Sequence, residues 1–377
     1  MPAKRTKGDA ETLSVRALNR AYLARQLLLR RERTTALEAV ERLVGLQAQA
    51  PLAPYFGLWA RVDGFAPDEL SRLLLEREAV RIVVMRGTVH LVSARDALFL
   101  RPLMRPFLAR QVTAQPAYAR ALDGVDLPAL VAEGRALLEE RPRTTSEAAK
   151  LLSPRFGGCD PAALGQALRG HLPLVQVPPR GIWGKGGAAA HTTAEAWLGR
   201  PLDAEPSLDT MVERYLAAFG PATVADARTW SGLTELTPVF ERMRPRLAVF
   251  RDERGRELFD LPGAPRPDPD TPAPVRLTAP FDNLVLSHAD RTRIISDEHR
   301  PLAFFTKNGQ IPGVVLLDGF VAGHWEMGRE KQNATLVVHR YRAFSKAEQA
   351  EVSDEGDRLL AFATDGAGAR DLRFAGP

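Results

Sequence analysis

Two or three short amphipathic helices followed by a pair of β-rich runs around a turn: this pattern recurs three times before Pro262. In the first copy the apolar spacing predicts helices near residues 14–30, 36–48 and 67–77. Val80-Arg81-Ile82-Val83-Val84-Met85 and Thr88-Val89-His90-Leu91-Val92 then flank a turn at Arg86-Gly87, and a further helix runs from about Ala94 to Arg110. The second copy places a helix after Leu127, a capping box at Thr144 and Glu147, and a third helix opened by Asp160 and Pro161. Its hairpin is read as Leu174-Val175-Gln176-Val177 and Ile182-Trp183-Gly184 around Pro178-Pro179-Arg180-Gly181. The third copy has a helix over 208–218 stopped at Gly220-Pro221, one capped by Thr223, one begun at Thr237-Pro238, and strands at Leu247–Phe250 and Glu257–Phe259. An α+β chain of tandem winged-helix (helix-turn-helix) units is expected.

The boundaries follow: a basic arm over 1–12, units over 13–122, 123–203 and 204–262, a linker over 263–275, and a β-rich part with a closing helix over 276–377. Pro and Asp dominate from Pro262 to Pro274, which marks the linker. Beyond it, Leu316-Leu317-Asp318-Gly319-Phe320-Val321 is a strong hairpin signal, Ala334–His339 reads as a strand, and 345–363 as a helix.

One helix carries an anomaly. It opens at a capping box, Thr35 with Glu38, and its apolar stripe Leu37, Val40, Val44 is continued by Gln47. Pro51 biases Ala50 out of the helical region, so the helix is expected to end near Gln49. Residues i and i+2 face apart on a straight helix, and a fraying last turn would be needed to bring Gln47 and Gln49 to one pocket. A polar residue tucked under a loop is the plainer reading of the same pattern.

Gly45-Leu46-Gln47-Ala48-Gln49-Ala50-Pro51 is one of several segments that together resemble a known family. The others are Leu13-Ser14-Val15-Arg16-Ala17, Met85-Arg86-Gly87-Thr88-Val89-His90-Leu91, Thr229-Trp230-Ser231-Gly232-Leu233 and Pro280-Phe281-Asp282-Asn283-Leu284-Val285-Leu286-Ser287-His288-Ala289-Asp290-Arg291. In this order, over nearly the whole chain, they resemble the AlkZ/YcaQ type of winged-helix DNA-binding protein. The resemblance implies a bacterial DNA glycosylase for alkylated purines and interstrand crosslinks, three winged helices and a small β-barrel-like C-terminal part. Gln47-Ala48-Gln49 matches the Gln-apolar-Gln catalytic motif of the AlkZ-like branch; the YcaQ-like branch has Gln-apolar-Asp.

Amide groups do not titrate in a useful range, so Gln47 and Gln49 are no acid or base. They can accept from a water and lie against the cation that develops on the sugar. Such chemistry suits a leaving group that is already activated: purines alkylated at N3 or N7 are cationic and depart without protonation. A contribution of roughly 10²–10³ is expected of such a contact. Only seven lysines occur and none is near the glutamines, which disfavours a Schiff-base lyase. No GxxxxGK[ST] run implies ATP use, and no cofactor is expected. Leu261-Pro262-Gly263 enters a proline-rich stretch, unlike the glycine hairpin of helix-hairpin-helix enzymes.

For DNA contact the candidates are Arg86, Thr88 and His90 on the first hairpin, Arg180 and Lys185 bracketing Trp183 on the second, and Arg291 and Arg293 near the end of the last motif. Each has a plainer alternative: an idle hairpin histidine, a buried Trp183 with solvated charges, a core Trp230. Asp282, Asp290 and Arg291 are expected to pair or to touch DNA. His288 and Asp290 alone are too few for a metal, and none is expected. Net charge is +5, but residues 1–125 carry +8 and the remainder −3, so the basic excess shares a third of the chain with the glutamines. The basic segment Met1–Lys7 is expected to be a disordered arm that touches phosphate, and it lacks the apolar segment of a signal peptide.

The partner implied is double-stranded DNA with alkylated or crosslinked purines, and several DNA-binding units in one chain suit a monomer. A regulator built from the same units, binding DNA without chemistry, is the alternative. A single cysteine, Cys159, excludes an intramolecular disulfide, and no run is long and apolar enough for a membrane span, so a cytoplasmic protein is expected.

Overall fold

The computed structural model describes residues 10–304, 309–330, 333–364 and 368–377; the arm proposed over Met1–Lys7 lies outside them. The chain forms an α+β fold of two compact units. One comprises 33–211 with 230–234, the other 1–32, 212–229 and 235–377.

The unit over 33–211 is organised on a six-stranded antiparallel sheet. Its order is Leu46–Gln47, Val89–Ser93, Ala79–Val83, Leu174–Gln176, Ala190–Thr193 and Arg143–Thr144. The first hairpin forms as expected, Ala79 opposite Ser93 through Val83 opposite Val89. Pairing of Ile82 with Val175 then fuses it to the second hairpin, so the two repeats share one sheet. The β-rich composition of Val80–Val84 and Leu174–Val177, broken only by Arg81 and Gln176, suits central strands of a sheet.

Two local expectations are corrected. The capping box at Thr35 and Glu38 does open a helix, Ala36–Arg42, but it stops well short of Gln49. Val44 (φ 53°) and Gly45 (φ 92°) turn the chain in the left-handed region, and Leu46–Gln47 leaves as a strand. A Cβ on Gly45 would lie 2.7 Å from Val92 Cγ1, so glycine serves both the turn and the close approach to the next strand. The second correction is the partner of Leu174–Gln176, which is Ala190–Thr193 and not Ile182–Gly184. The intervening segment folds onto the helix Ala53–Trp59: Tyr55 Oη donates to Gly181 O at 2.8 Å and accepts from Trp183 N at 3.1 Å. The Trp183 ring packs 5.0 Å from that of Tyr55, an apolar contact that outcompetes strand pairing.

Helices then build the core of this unit. Leu127–Glu140, Thr145–Leu152 and Pro161–His171, the last two with the N-caps anticipated at Thr144 and Asp160, bury Leu130, Leu138, Leu164 and Leu168. The long helix Ala94–Ala114 is fastened to this cluster through buried Arg101, which donates to the carbonyls of Gly170 and Leu172.

In the other unit, Ala248–Asp252 and Glu257–Asp260 pair as the third hairpin, and Thr12–Leu13 adds in parallel. A five-stranded sheet follows in the order Arg276–Leu277, Gly313–Leu317, Phe320–Glu330, Asn333–Arg340 and Arg370–Ala375. The turn is Asp318-Gly319, both with positive φ, the geometry a two-residue hairpin needs. Among the described residues this sheet is open: the outer strands Arg276–Leu277 and Arg370–Ala375 do not pair with each other, and no barrel closes. The helix Lys346–Ala363 packs on one face through Val352, Leu359 and Leu360, and the last strand returns beside Asn333–Arg340. Between Asp260 and Arg276 no helix or strand forms, as the proline content requires.

Candidate active site

The glutamine motif lies on the rim of the six-stranded sheet. Leu46–Gln47 pairs with Val89–Ser93 alone, placing Gln47 directly opposite His90. Gln47 is 7% exposed, a buried amide that must be satisfied. Its Oε1 accepts from Arg86 Nη2 at 2.8 Å, and Arg86 Nη1 donates to the carbonyl of Trp230 at 2.8 Å. Arg86 reaches both from a left-handed conformation (φ 56°) in the turn of the first hairpin, followed by Gly87 at φ 69°. An arginine held there costs on the order of 1–2 kcal/mol, which marks the turn as specified by its surroundings.

His90 completes the group. It is fully buried, and its Nδ1 lies 3.0 Å from the Thr88 carbonyl, which only accepts. Nδ1 therefore carries the proton, leaving Nε2 to accept the longer contact, 3.4 Å, from Arg86 Nη2. Thr88 Oγ1 donates to Met85 O and lies 3.5 Å from the same ring. Gln47, Arg86, Thr88 and His90 are thus brought together, while Gln49 stands exposed at the bend beyond the strand. Arg86 and His90, expected to contact DNA, direct their described polar contacts to the buried amide and to backbone carbonyls.

A second cation holds the motif from behind. Arg81 sits on the central strand, buried, and donates through Nη2 to Ala48 O (3.0 Å), through Nη1 to Pro51 O (3.2 Å) and through Nε to Gln176 Oε1 (3.2 Å). Burial, and next the nearby Arg180, pull its pKa down to about 10, which still leaves it charged at neutral pH. This residue was missed. The signal was a lone arginine inside Val80-Arg81-Ile82-Val83, where a buried charge demands partners. Beside Arg86 and Gly87 opens a cavity of about 230 Å³ lined also by Gln111, Gln115, Tyr118 and Gln166, residues that no local motif singles out.

The remaining candidates divide. Lys185 is exposed, and Arg180 donates to Gly187 O at 2.9 Å within its own loop. Arg291 is half-buried, its guanidinium 4.4 Å from the Phe304 ring centroid, and burial lowers its pKa. Arg293 is not a surface residue. It is 5% exposed and donates to Pro221 O at 2.6 Å, with Asp226 at 3.8 Å. Asp290 pairs with Arg254 (2.9 Å) and Arg256 (2.5 Å), and Asp282 accepts from Leu284 N as a cap. Burial opposes ionisation of Asp290, yet hydrogen bonds from Thr292 and Arg256 outweigh it and hold its pKa at about 2. His288 is buried against Phe219 O and the Tyr22 ring, and Trp230 is fully buried. Among the described residues no helix is long and apolar enough to cross a membrane.

Among its described hydrogen bonds, the buried Gln47 amide is held by an arginine and by no carboxylate. The family model described as "DNA glycosylase AlkZ-like" matches residues 40–362, and the chain belongs to that family of DNA glycosylases. It is 27% identical over 367 residues to the interstrand DNA cross-link repair glycosylase of Streptomyces sahachiroi, covering 88% of this chain and 92% of that protein. The solved structure of Streptomyces sahachiroi DNA glycosylase AlkZ superposes with a TM-score of 0.76 at 23% identity, over 97% of this chain and all of the other, a likeness of fold.

Proposed function

We propose that this protein is a monofunctional DNA glycosylase that hydrolyses the N-glycosidic bond of cationic N3- and N7-alkylated purines and unhooks interstrand crosslinks joined through them. The observation that carries this reading is the placement of Gln47: a buried amide on an open sheet rim, oriented by Arg86, in a member of the AlkZ-like family. The named function of the Streptomyces relative supports the crosslink substrate.

In this reading Gln47 and Gln49 hold a water over the sugar carbon and lie against its developing positive charge. Gln47 Oε1 has two lone pairs; Arg86 takes one, and the other receives the water. Arg86, Thr88 and His90 set the amide's position, and Arg81 fixes the backbone between the two glutamines. A cationic purine leaves as a neutral base, so no acid is required, and a neutral His90 is consistent with that. Water, not a lysine amine, is the nucleophile, which leaves no lyase step. Three winged helices over 13–122, 123–203 and 204–262 carry the duplex, with Arg180, Lys185 and Arg291 toward phosphate; the protein acts as a cytoplasmic, nucleoid-associated monomer.

The test is base release from a duplex with a single N7-methylguanine, for the wild type, Gln47→Ala, Gln49→Ala and the double variant, followed by a crosslinked duplex. Release that falls by roughly 10²–10³ in the variants while binding persists supports the assignment. A protein that binds both duplexes and releases base from neither overturns it.

A further inference from the structure

Three of the seven histidines are His299, His324 and His339; the first two lie with ring centroids 5.5 Å from that of Tyr341, and His339 stacks on His324. His324 and His339 are direct partners across the antiparallel pair Phe320–Glu330 and Asn333–Arg340. Their rings are parallel, 7° apart in plane and 4.5 Å between centroids. Glu326 follows two residues after His324, on the same strand face, since side chains alternate. Buried Trp325 and Val338 point to the other face, where the helix Lys346–Ala363 packs.

We infer that His324, His339 and Glu326 form a binding site for one divalent transition-metal ion, zinc by the chemistry of the ligands. One ligand atom from each residue lies within 4.8 Å of the others. A tetrahedral zinc with bonds of about 2.0–2.2 Å needs ligand atoms roughly 3.3–3.6 Å apart, an adjustment that side-chain rotation supplies. Two imidazoles and a carboxylate form a donor set suited to zinc. His339 Nε2 is a buried nitrogen with no hydrogen-bond partner, 3.7 Å from Glu326 Oε2, so it is aimed at the place an ion would fill. His324 Nδ1 lies 3.0 Å from Tyr341 Oη; with that nitrogen donating to the phenol, Nε2 is left as the ligand. Glu326, 68% exposed, leaves the fourth position open to water. The site is independent of the glycosylase reading, because it involves none of the residues assigned to that chemistry.

The full-length protein, stripped with a chelator and dialysed, is titrated with Zn²⁺ against a chromophoric competitor, and Co²⁺ is added separately to read the ligand field. One ion per chain is expected, with a dissociation constant in the micromolar range or tighter, and a Co²⁺ spectrum of four-coordinate intensity. His324→Gln, His339→Gln and the exposed Glu326→Gln each abolish or strongly weaken binding, and Tyr341→Phe weakens it about 10-fold. Glu326→Gln keeps the fold regardless of the histidine variants, which circular dichroism checks. Absence of binding at ~100 μM Zn²⁺, or binding unchanged in Glu326→Gln and both histidine variants, overturns the inference.

Discussion

Arg86 donates to Gln47 across 2.8 Å, from the turn of one strand pair to the rim strand beside it. In the proposed mechanism, the guanidinium next to the amide orients it, yet places a positive charge where the sugar cation would form. The two effects act in opposite directions on rate. Removing Arg86 shows which effect dominates: a slower rate means orientation, a faster one means charge repulsion.

Arg86→Ala removes the donors to Gln47 Oε1 and Trp230 O together. Base release is expected to fall by about 10²-fold, the scale of a misplaced catalytic group. Arg86→Lys does not restore it, since one ammonium cannot bridge two acceptors in a fixed fork. Single-turnover rates with saturating enzyme check this; a variant with weaker DNA binding and an unchanged rate would assign Arg86 to phosphate instead.

Arg81→Met leaves the carbonyls of Ala48 and Pro51 without their donor. Each unsatisfied buried carbonyl costs about 1–3 kcal/mol, so unfolding by urea is expected to shift by at least ~2 kcal/mol, with loss of base release. A variant whose midpoint and rate match the wild type contradicts the clamp.

Gly45→Ala forces a Cβ into a left-handed residue and to 2.7 Å from Val92 Cγ1. A loss of about 1–3 kcal/mol is expected, visible as a lower melting temperature, with the rim strand displaced and activity reduced. The exposed Gly64, also at positive φ but with open space around it, is the control and loses less.

His191, buried on Ala190–Thr193, has its pKa pulled from 6.5 to about 4, first by burial and then by Arg169. The fold favours the neutral ring, so this contribution to stability is complete above pH 6.5 and is lost as pH falls toward 4. Urea midpoints at pH 7.5 and 4.5 are expected to differ, and His191→Gln to narrow that difference. An equal difference in both proteins would place the acid sensitivity elsewhere.

Much of the fold was legible because local chemistry and final structure agree. Thr35, Thr144 and Asp160 cap helices where their spacing with Glu38, Glu147 and Pro161 puts them, and Asp318-Gly319 turns a hairpin. What periodicity could not give were events decided by contact between distant segments. Gln47 continued a helical stripe, yet pairing with His90 made it a strand residue. Ile182-Trp183 looked like a strand until Tyr55 claimed it. The motif named Gln47 correctly as a buried polar residue, while Arg81 was passed over because it is held by residues 33 and 95 positions away. His324, Glu326 and His339 meet only through strand register, which spacing along the chain does not encode.

The fused sheet has an evolutionary consequence. Arg81 belongs to the first hairpin, Gln176 to the second and Pro51 to the loop after the glutamines, and one guanidinium touches all three. Gly181 leaves no room for a Cβ beside that side chain, at 2.7 Å from Arg81 Cδ. The two repeats follow one pattern in sequence, but they are not separable modules: a chimera that imports either hairpin from a relative must bring the other with it, or lose the position of Gln47.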